Sequence, residues 1–326
     1  MYFHNYNPYY VLEDLRVSQH KKLILDTDAG GEIDDQYAVA YALTAEDIDL
    51  LALTAAPFLS NRASTLAEGA ELCYQEITRV RDLVDPEGKM GVPCYRGSTD
   101  VLKNLFTPQP SEAAENIVRI VREANDTVYI AMIGCFTNVA SAILMDHSIC
   151  DKAVVVMVGA QKFDNRGESG LEHNANEANL MRDRLAARVI FESGVPLVVI
   201  PAFGVTETLV TTAAEVKYFI GKDGGQIGKY LMDIFEADEG AADETEGPDE
   251  GLCRSHVRPI WDAGAVAFLR MKEKCCHYDV VPVRTIDGRG AWYPLRDGRE
   301  MIMVDSFDRN AVMSDMFTVI RQFANK

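Results

Sequence analysis

The chain has 326 residues, nearly half of them apolar, with 32 Lys+Arg against 50 Asp+Glu and a formal net charge of −18. This composition excludes a disordered chain. The acidic balance argues against nucleic acid or an anionic membrane as partner, since both need clustered Lys and Arg.

No apolar run approaches the roughly 20 residues of a membrane span. Met1 to Arg16 is aromatic and acidic, without the basic and apolar regions of a secretory signal, so none is expected. The seven cysteines include no CxxC spacing. Reduced thiols and a cytoplasmic location are therefore expected. The chain reads as one domain over residues 1–326, with an N-terminal extension over residues 1–20.

From residue 22 onward, short apolar β-branched runs alternate with helical patterns. The strand-like runs cover residues 22–26, 50–56, 128–134, 153–159 and 196–203. Each is apolar on both faces, as in a buried parallel sheet. The helical patterns cover residues 34–45, 61–84, 111–125, 138–145 and 183–193, the last closed by Gly194 and Pro196. This alternation predicts an α/β doubly wound fold with a mainly parallel central sheet flanked by helices. Residues 236–250 carry eight carboxylates and no basic residue, which reads as an acidic, mobile loop. From His277 onward two further strand-like runs, residues 278–285 and 300–305, read as an added edge or subdomain of the same unit.

The most informative stretch is Asp26-Thr-Asp28 at the end of the first strand, followed by a Gly30-Gly31 turn and by Asp34-Asp35 at the start of a helix. Ligands of open α/β sheets sit at the carboxyl ends of the strands. Carboxylates crowded within about 4 Å repel by roughly 4 kcal/mol per pair at an effective dielectric near 20. Protons or a cation must offset that, and all-oxygen ligation favours Ca²⁺ or Mg²⁺ over zinc. The plain alternative is that Asp34 only caps the helix and Asp26 is a turn residue. Further polar residues follow later strand ends: Asn61, Thr137-Asn138, Glu177 and Asn179. Asp262 opens another helical pattern.

With these blocks in view the sequence resembles the calcium-dependent nucleoside hydrolases, the inosine–uridine-preferring family. The family's Asp-x-Asp-Pro-Gly-x-Asp-Asp signature is similar to Asp26-Thr-Asp28 with Asp34-Asp35, with Ala29 in place of Pro and a turn two residues longer. Its Thr-Val-x-Gly-Asn block resembles Thr54 to Asn61, again longer. Gly134-Cys-Phe-Thr137-Asn138-Val-Ala140 is similar to its Gly-Pro-Leu-Thr-Asn-x-Ala block. Glu177-Ala-Asn179-Leu-Met-Arg-Asp183-Arg-Leu-Ala-Ala187 is similar to its Glu-x-Asn-x-x-x-Asp-Pro-Glu-Ala-Ala block, and Asp262 to its terminal metal Asp.

The resemblance implies hydrolysis of the N-glycosidic bond of ribonucleosides with one Ca²⁺ per subunit. Asp28, Asp35, Asp262 and the backbone carbonyl of Thr137 would ligate the ion. Asp28 would act as general base, with Asp34 and Asn61 as further catalytic residues bonded to the water or the 2′-hydroxyl. Asn179 would hold the ribose 2′- and 3′-hydroxyls and Glu177 the 5′-hydroxyl, with His173, Asn174 and Asn176 as open candidates beside it. A homodimer or homotetramer is implied, with a small nucleoside as the only partner.

One departure bears on the substrate. Many members carry a His immediately before the terminal Asp, and here that position is Trp261. It could stack on a base, as in the purine-preferring branch, or serve packing alone. Purine nucleosides are accordingly expected. Other readings stay open: a different ribosylated metabolite, a non-catalytic ribose- or nucleoside-binding protein on the same scaffold, or a phosphatase of the haloacid-dehalogenase type. Met1 to Tyr10 has no family counterpart and reads either as cover for a surface or as a free tail.

Overall fold

The computed structural model describes residues 8–162, 177–239, 257–288 and 291–326. Along the sequence, α1 (Pro8–Val17) precedes β1 (Lys21–Thr27), α2 (Asp34–Thr44), β2 (Ile48–Ala55), α3 (Leu66–Val84), β3 (Cys94–Tyr95) and α4 (Glu112–Glu123). Then come β4 (Val128–Met132), α5 (Thr137–Met145), β5 (Ala153–Val158), α6 (Ala178–Arg182), α7 (Arg184–Ser193) and β6 (Leu197–Ile200). The remainder holds β7 (Val210–Thr212), α8 (Ala213–Val216), α9 (Gly225–Glu239), β8 (Val257–Pro259), α10 (Ala263–Cys275), β9 (Cys276–Pro282), β10 (Arg284–Ile286), β11 (Trp292–Pro294), β12 (Glu300–Phe307) and α11 (Arg309–Ala324).

Eight strands form one sheet in the order β3-β2-β1-β4-β5-β6-β12-β9. All pairs are parallel except β9 on β12, which is antiparallel. The two small ribbons, β7–β8 and β10–β11, lie outside it. The period-2 alternation of strand side chains splits the core into two layers. Leu23 and Leu25 of β1, Tyr129 of β4 and Val156 of β5 pack with α2, α3, α9, α10 and α11. Ile24, Ile130 and Val155 point the other way and pack with α4, α5 and α7. Helices thus cover both faces, which is why the strands read as continuous apolar runs rather than alternating ones. The backbone leaves β1 toward β2 on one side and returns to β4 on the other. The crevice at the C-terminal end of β1 is therefore a topological switch point, where open α/β sheets bind ligands.

Local signals placed most boundaries. Gly194 ends α7 at φ +89°, the left-handed cap that Gly adopts without strain. The helical pattern over residues 61–84 starts later than expected. Thr65 caps α3 by accepting the Glu68 N–H at 3.2 Å, while the Glu68 carboxylate accepts the Ser64 N–H at 2.9 Å. Residues 57–64 are consequently loop. Within the N-terminal extension α1 is docked: Val11 and Leu15 are buried and Asp14 accepts from the Tyr129 hydroxyl. Of the acidic stretch 236–250, residues 236–239 finish α9 and residues 240–250 lie outside the described residues. Cys73, Cys94, Cys135, Cys150, Cys275 and Cys276 are free, as the composition suggests. Among the described residues no helix is long and apolar enough to cross a membrane.

Asn138, at the start of α5, ties the switch point together. Its Nδ2 donates to Asp26 Oδ1 and to the Ala55 carbonyl, both at 2.9 Å, and its Oδ1 accepts the Ser98 N–H at 2.8 Å. Asn138→Ala orphans these buried groups, at about 1–3 kcal/mol for each that stays unpaired. The expected result is a loss of about 3 kcal/mol, read as a lower urea midpoint at unchanged m-value.

Candidate active site

The site grows from the end of β1. Asp26 is fully buried and does not line the cleft; its Oδ1 accepts from the Thr54 hydroxyl at 2.6 Å and from Asn138. Burial raises its carboxyl to about 7 despite those bonds. It acts as a positioning residue that locks β1 against β2 and α5. Thr27 then fixes Asp35: its hydroxyl donates to Asp35 Oδ1, and the Asp28 N–H donates to the same oxygen at 3.2 Å. Asp34 and Asp35 occupy the first turn of α2, where the positive end of the helix dipole favours carboxylates.

Two positions need glycine, one for its backbone conformation and one for a close approach. Gly30 sits at φ +96° in the turn after Asp28. At Gly134, just past β4, a Cβ would stand 2.7 Å from the Asp28 nitrogen and 2.8 Å from its carboxyl carbon. Only a bare backbone lets Asp28 lie so close to β4.

Asp262, immediately before α10, closes the cluster from the other side of the crevice. Asp34, Asp35 and Asp262 are buried, and each offers an oxygen within 4.8 Å of the others. Burial pushes all of them up, with neighbouring carboxylates adding to it, Glu32 foremost for Asp34: Asp34 to about 8, Asp35 and Asp262 well above the usual carboxylate range. Asp28 is raised to about 7 by burial, opposed by the charge of Arg182. A set of hard oxygen donors this close fits a divalent cation such as Ca²⁺ or Mg²⁺.

The opposite wall comes from the segment after β5. Glu177 caps α6, accepting the N–H groups of Asn179 at 2.8 Å, Leu180 at 2.9 Å and Ala160 at 3.1 Å. Ala160 adopts φ +72°, a left-handed conformation uncommon outside glycine, and this aims its N–H at Glu177. Gly159 leaves room for that carboxylate, since a Cβ there would meet Glu177 Oε2 at 2.9 Å. Asn179 donates through Nδ2 to the carbonyls of Ile133 at 3.0 Å and Val158 at 3.3 Å, bridging the ends of β4 and β5. Its Oδ1 is left to accept from a ligand. Arg182 donates to Asp28 Oδ2 at 3.0 Å.

Of the residues expected from sequence, Asp28, Asp34, Asp35, Glu177, Asn179, Trp261 and Asp262 line one cleft. Asn61 does not: the loop after β2 presents Phe58, Leu59 and Ser60 to the cleft, and Asn61 is exposed beyond them. The added length of that loop carries Asn61 past the wall. Thr137 is buried with its hydroxyl donating to Asp183 Oδ2 at 2.6 Å, so only its backbone remains as a donor atom. His173, Asn174 and Asn176 lie outside the described residues. Trp261 stands edge-to-face with Phe203, ring centroids 5.7 Å apart, and the two form the aromatic wall.

Sequence reasoning missed Arg182, Phe203 and Glu32, all of which line the cleft. Arg182 is three residues past Asn179 and so shares its helix face. Phe203 ends the strand-like run over residues 196–203, and the structure stops β6 at Ile200. Glu32 lies inside the lengthened turn. Those placements were the available signals.

A family model described as "Inosine-uridine preferring nucleoside hydrolase" matches residues 23–314. The protein is 26% identical over 238 residues to a protein of Arabidopsis thaliana named probable uridine nucleosidase 2, covering 68% of this chain and 71% of that one. It is 26% identical over 263 residues to a pyrimidine-specific ribonucleoside hydrolase of Escherichia coli (strain SE11), covering 77% and 79%. In fold it is similar to the solved structure of a purine-preferring ribonucleoside hydrolase from Gardnerella vaginalis, with TM-score 0.70 and 21% identity over 93% of this chain and 99% of the other.

The raised carboxyls fix the sign of a pH effect. Groups that hold protons more tightly folded than unfolded lower stability as pH rises from the unfolded value near 4 through the folded one, which is about 8 for Asp34. In a chelator the melting temperature is expected to fall between about pH 5 and pH 8. A divalent cation should restore it, most strongly at the upper end. A chelated protein whose melting temperature rises across this window would contradict the assignment.

Proposed function

The chain belongs to the inosine-uridine preferring nucleoside hydrolase family, and from that premise we propose that it hydrolyses the N-glycosidic bond of ribonucleosides, purine nucleosides in preference, with Ca²⁺ as cofactor. Members of this family are N-glycosidases that cleave nucleosides. The observation that carries the purine reading is Trp261. It lines the cleft with the carboxylates and is braced edge-on by Phe203. Among the described residues no histidine lines that cleft. A large flat base has a stacking partner there.

Asp28, Asp35, Asp262 and the Thr137 carbonyl would hold the ion, with Asp34 beside them. When bound, Ca²⁺ supplies positive charge that polarises water and the ribose hydroxyls. Asp28 takes the proton of the attacking water as general base. Asn179 and Glu177 orient the ribose through its hydroxyls. As the C1′–N bond breaks, its electron pair leaves with the base and positive charge spreads over C1′ and the ring oxygen, as in other glycoside hydrolysis. The surrounding carboxylates stabilise that charge. The water oxygen bonds to C1′, and a proton from solvent completes the base. A cytoplasmic homodimer or homotetramer is part of the same reading.

The names of the two curated relatives favour a second reading, in which pyrimidine nucleosides are the better substrates. Ribose release from inosine, guanosine, adenosine, uridine and cytidine in Ca²⁺ separates the two. Faster release from the three purines is expected, and Asp28→Asn should lower kcat on the order of 10²–10⁴-fold. Faster release from uridine and cytidine would establish the second reading. No release from any of the five would contradict both. Trp261→Ala should reduce kcat/KM on purines about tenfold, since an aromatic pair contributes about 0.5–1.5 kcal/mol beyond its buried area and 1.4 kcal/mol is tenfold. An unchanged purine-to-pyrimidine ratio would assign Trp261 to packing.

A further inference from the structure

Among the described residues that line the cleft, Arg182 is the one basic side chain, alongside Asp28, Glu32, Asp34, Asp35, Glu177 and Asp262. Its Nη1 donates to Asp28 Oδ2 at 3.0 Å, and the two side chains are only 19% and 12% exposed. Its Nη2 reaches the Leu59 carbonyl at 3.4 Å. The pairing has a visible consequence for the cluster. The carboxylate oxygens that converge within 4.8 Å are those of Asp34, Asp35 and Asp262; Asp28 is not among them. Asp28 instead directs one oxygen to the guanidinium.

The backbone around Arg182 is pinned. Glu177 caps the start of α6 and Asn179 ties it to β4 and β5. Asp183 caps the next helix and accepts from the Thr137 hydroxyl and the Leu102 N–H. The side chain, with its several rotatable bonds, is the part free to swing. A guanidinium and a divalent cation drawn to the same carboxylate repel each other, and a low-dielectric cleft strengthens that repulsion.

We infer that Arg182 is a resident counter-ion of Asp28 that competes with the divalent cation for this carboxylate. It neutralises Asp28 in the ion-free protein and weakens the affinity of the site for the ion. The inference rests on the reading of the carboxylate cluster as the ion site. A net anionic substrate group is the less apt occupant of Arg182, because the carboxylates around it would oppose one.

The test is calorimetric titration of CaCl₂ into chelator-stripped protein near pH 8, for the natural protein, Arg182→Met, Arg182→Gln and Arg182→Lys. Melting temperatures are measured with and without Ca²⁺. Both neutral variants should bind Ca²⁺ at least tenfold more tightly, while Arg182→Lys stays close to the natural protein. Without the ion the neutral variants should melt lower, and saturating Ca²⁺ should close the gap. Folded neutral variants that bind Ca²⁺ equally or more weakly would overturn the competition and leave the ion site intact. Uptake of Ca²⁺ by none of the four proteins would overturn the ion site, and the inference with it.

Discussion

Crowding of buried like charges at the carboxyl end of β1 is the constraint around which the rest is arranged. Two full charges about 4 Å apart cost on the order of 4 kcal/mol even at an effective dielectric near 20, and Asp34, Asp35 and Asp262 crowd together in burial. No packing term rewards that placement. The fold tolerates it because donors are aimed at the carboxylates. Asp35 accepts from the Thr27 hydroxyl and the Asp28 N–H, and the helix dipole of α2 lies behind it. Burial raises all three carboxyls above the usual carboxylate range, which eases the repulsion by favouring their neutral forms. A divalent cation removes the same penalty, so its affinity and the stability of the sheet's switch point are one quantity seen from two sides.

Much of this was legible in the sequence. The buried parallel sheet is announced by runs apolar on both faces, and Gly194 marks the end of α7 because a left-handed cap leaves few alternatives. The carboxylate cluster could be read because its members sit where strand patterns stop and helical patterns start. The rest was hidden for identifiable reasons. β3 is two residues long and has no pattern to show. α3 starts at Leu66 rather than at Asn61 because the Thr65 cap, a matter of two hydrogen bonds, overrides a helical period that runs on through the loop. Asn61 matches a motif by type and order, yet a longer loop carries it outside the cleft. Sequence order does not record how a loop folds.

The two lengthened turns act together. Phe58, from the loop after β2, is buried beneath the turn after β1: a Cβ on Gly31 would meet its ring at 3.4 Å. The same loop offers the Leu59 carbonyl to Arg182, which in turn holds Asp28. The two loops thus form one wall of the cleft, running from aromatic packing at Phe58 to the Arg182–Asp28 ion pair.

The central claim is that the buried carboxylates at the end of β1 form a divalent-cation site. A crystal structure of the protein grown with Ca²⁺ tests it most directly. The account predicts one ion per subunit with carboxylate oxygens of Asp35 and Asp262 at about 2.3–2.6 Å, Asp28 turned toward it and Arg182 withdrawn. A well-ordered cluster without an ion at saturating Ca²⁺, its carboxylates still sharing protons, would contradict it.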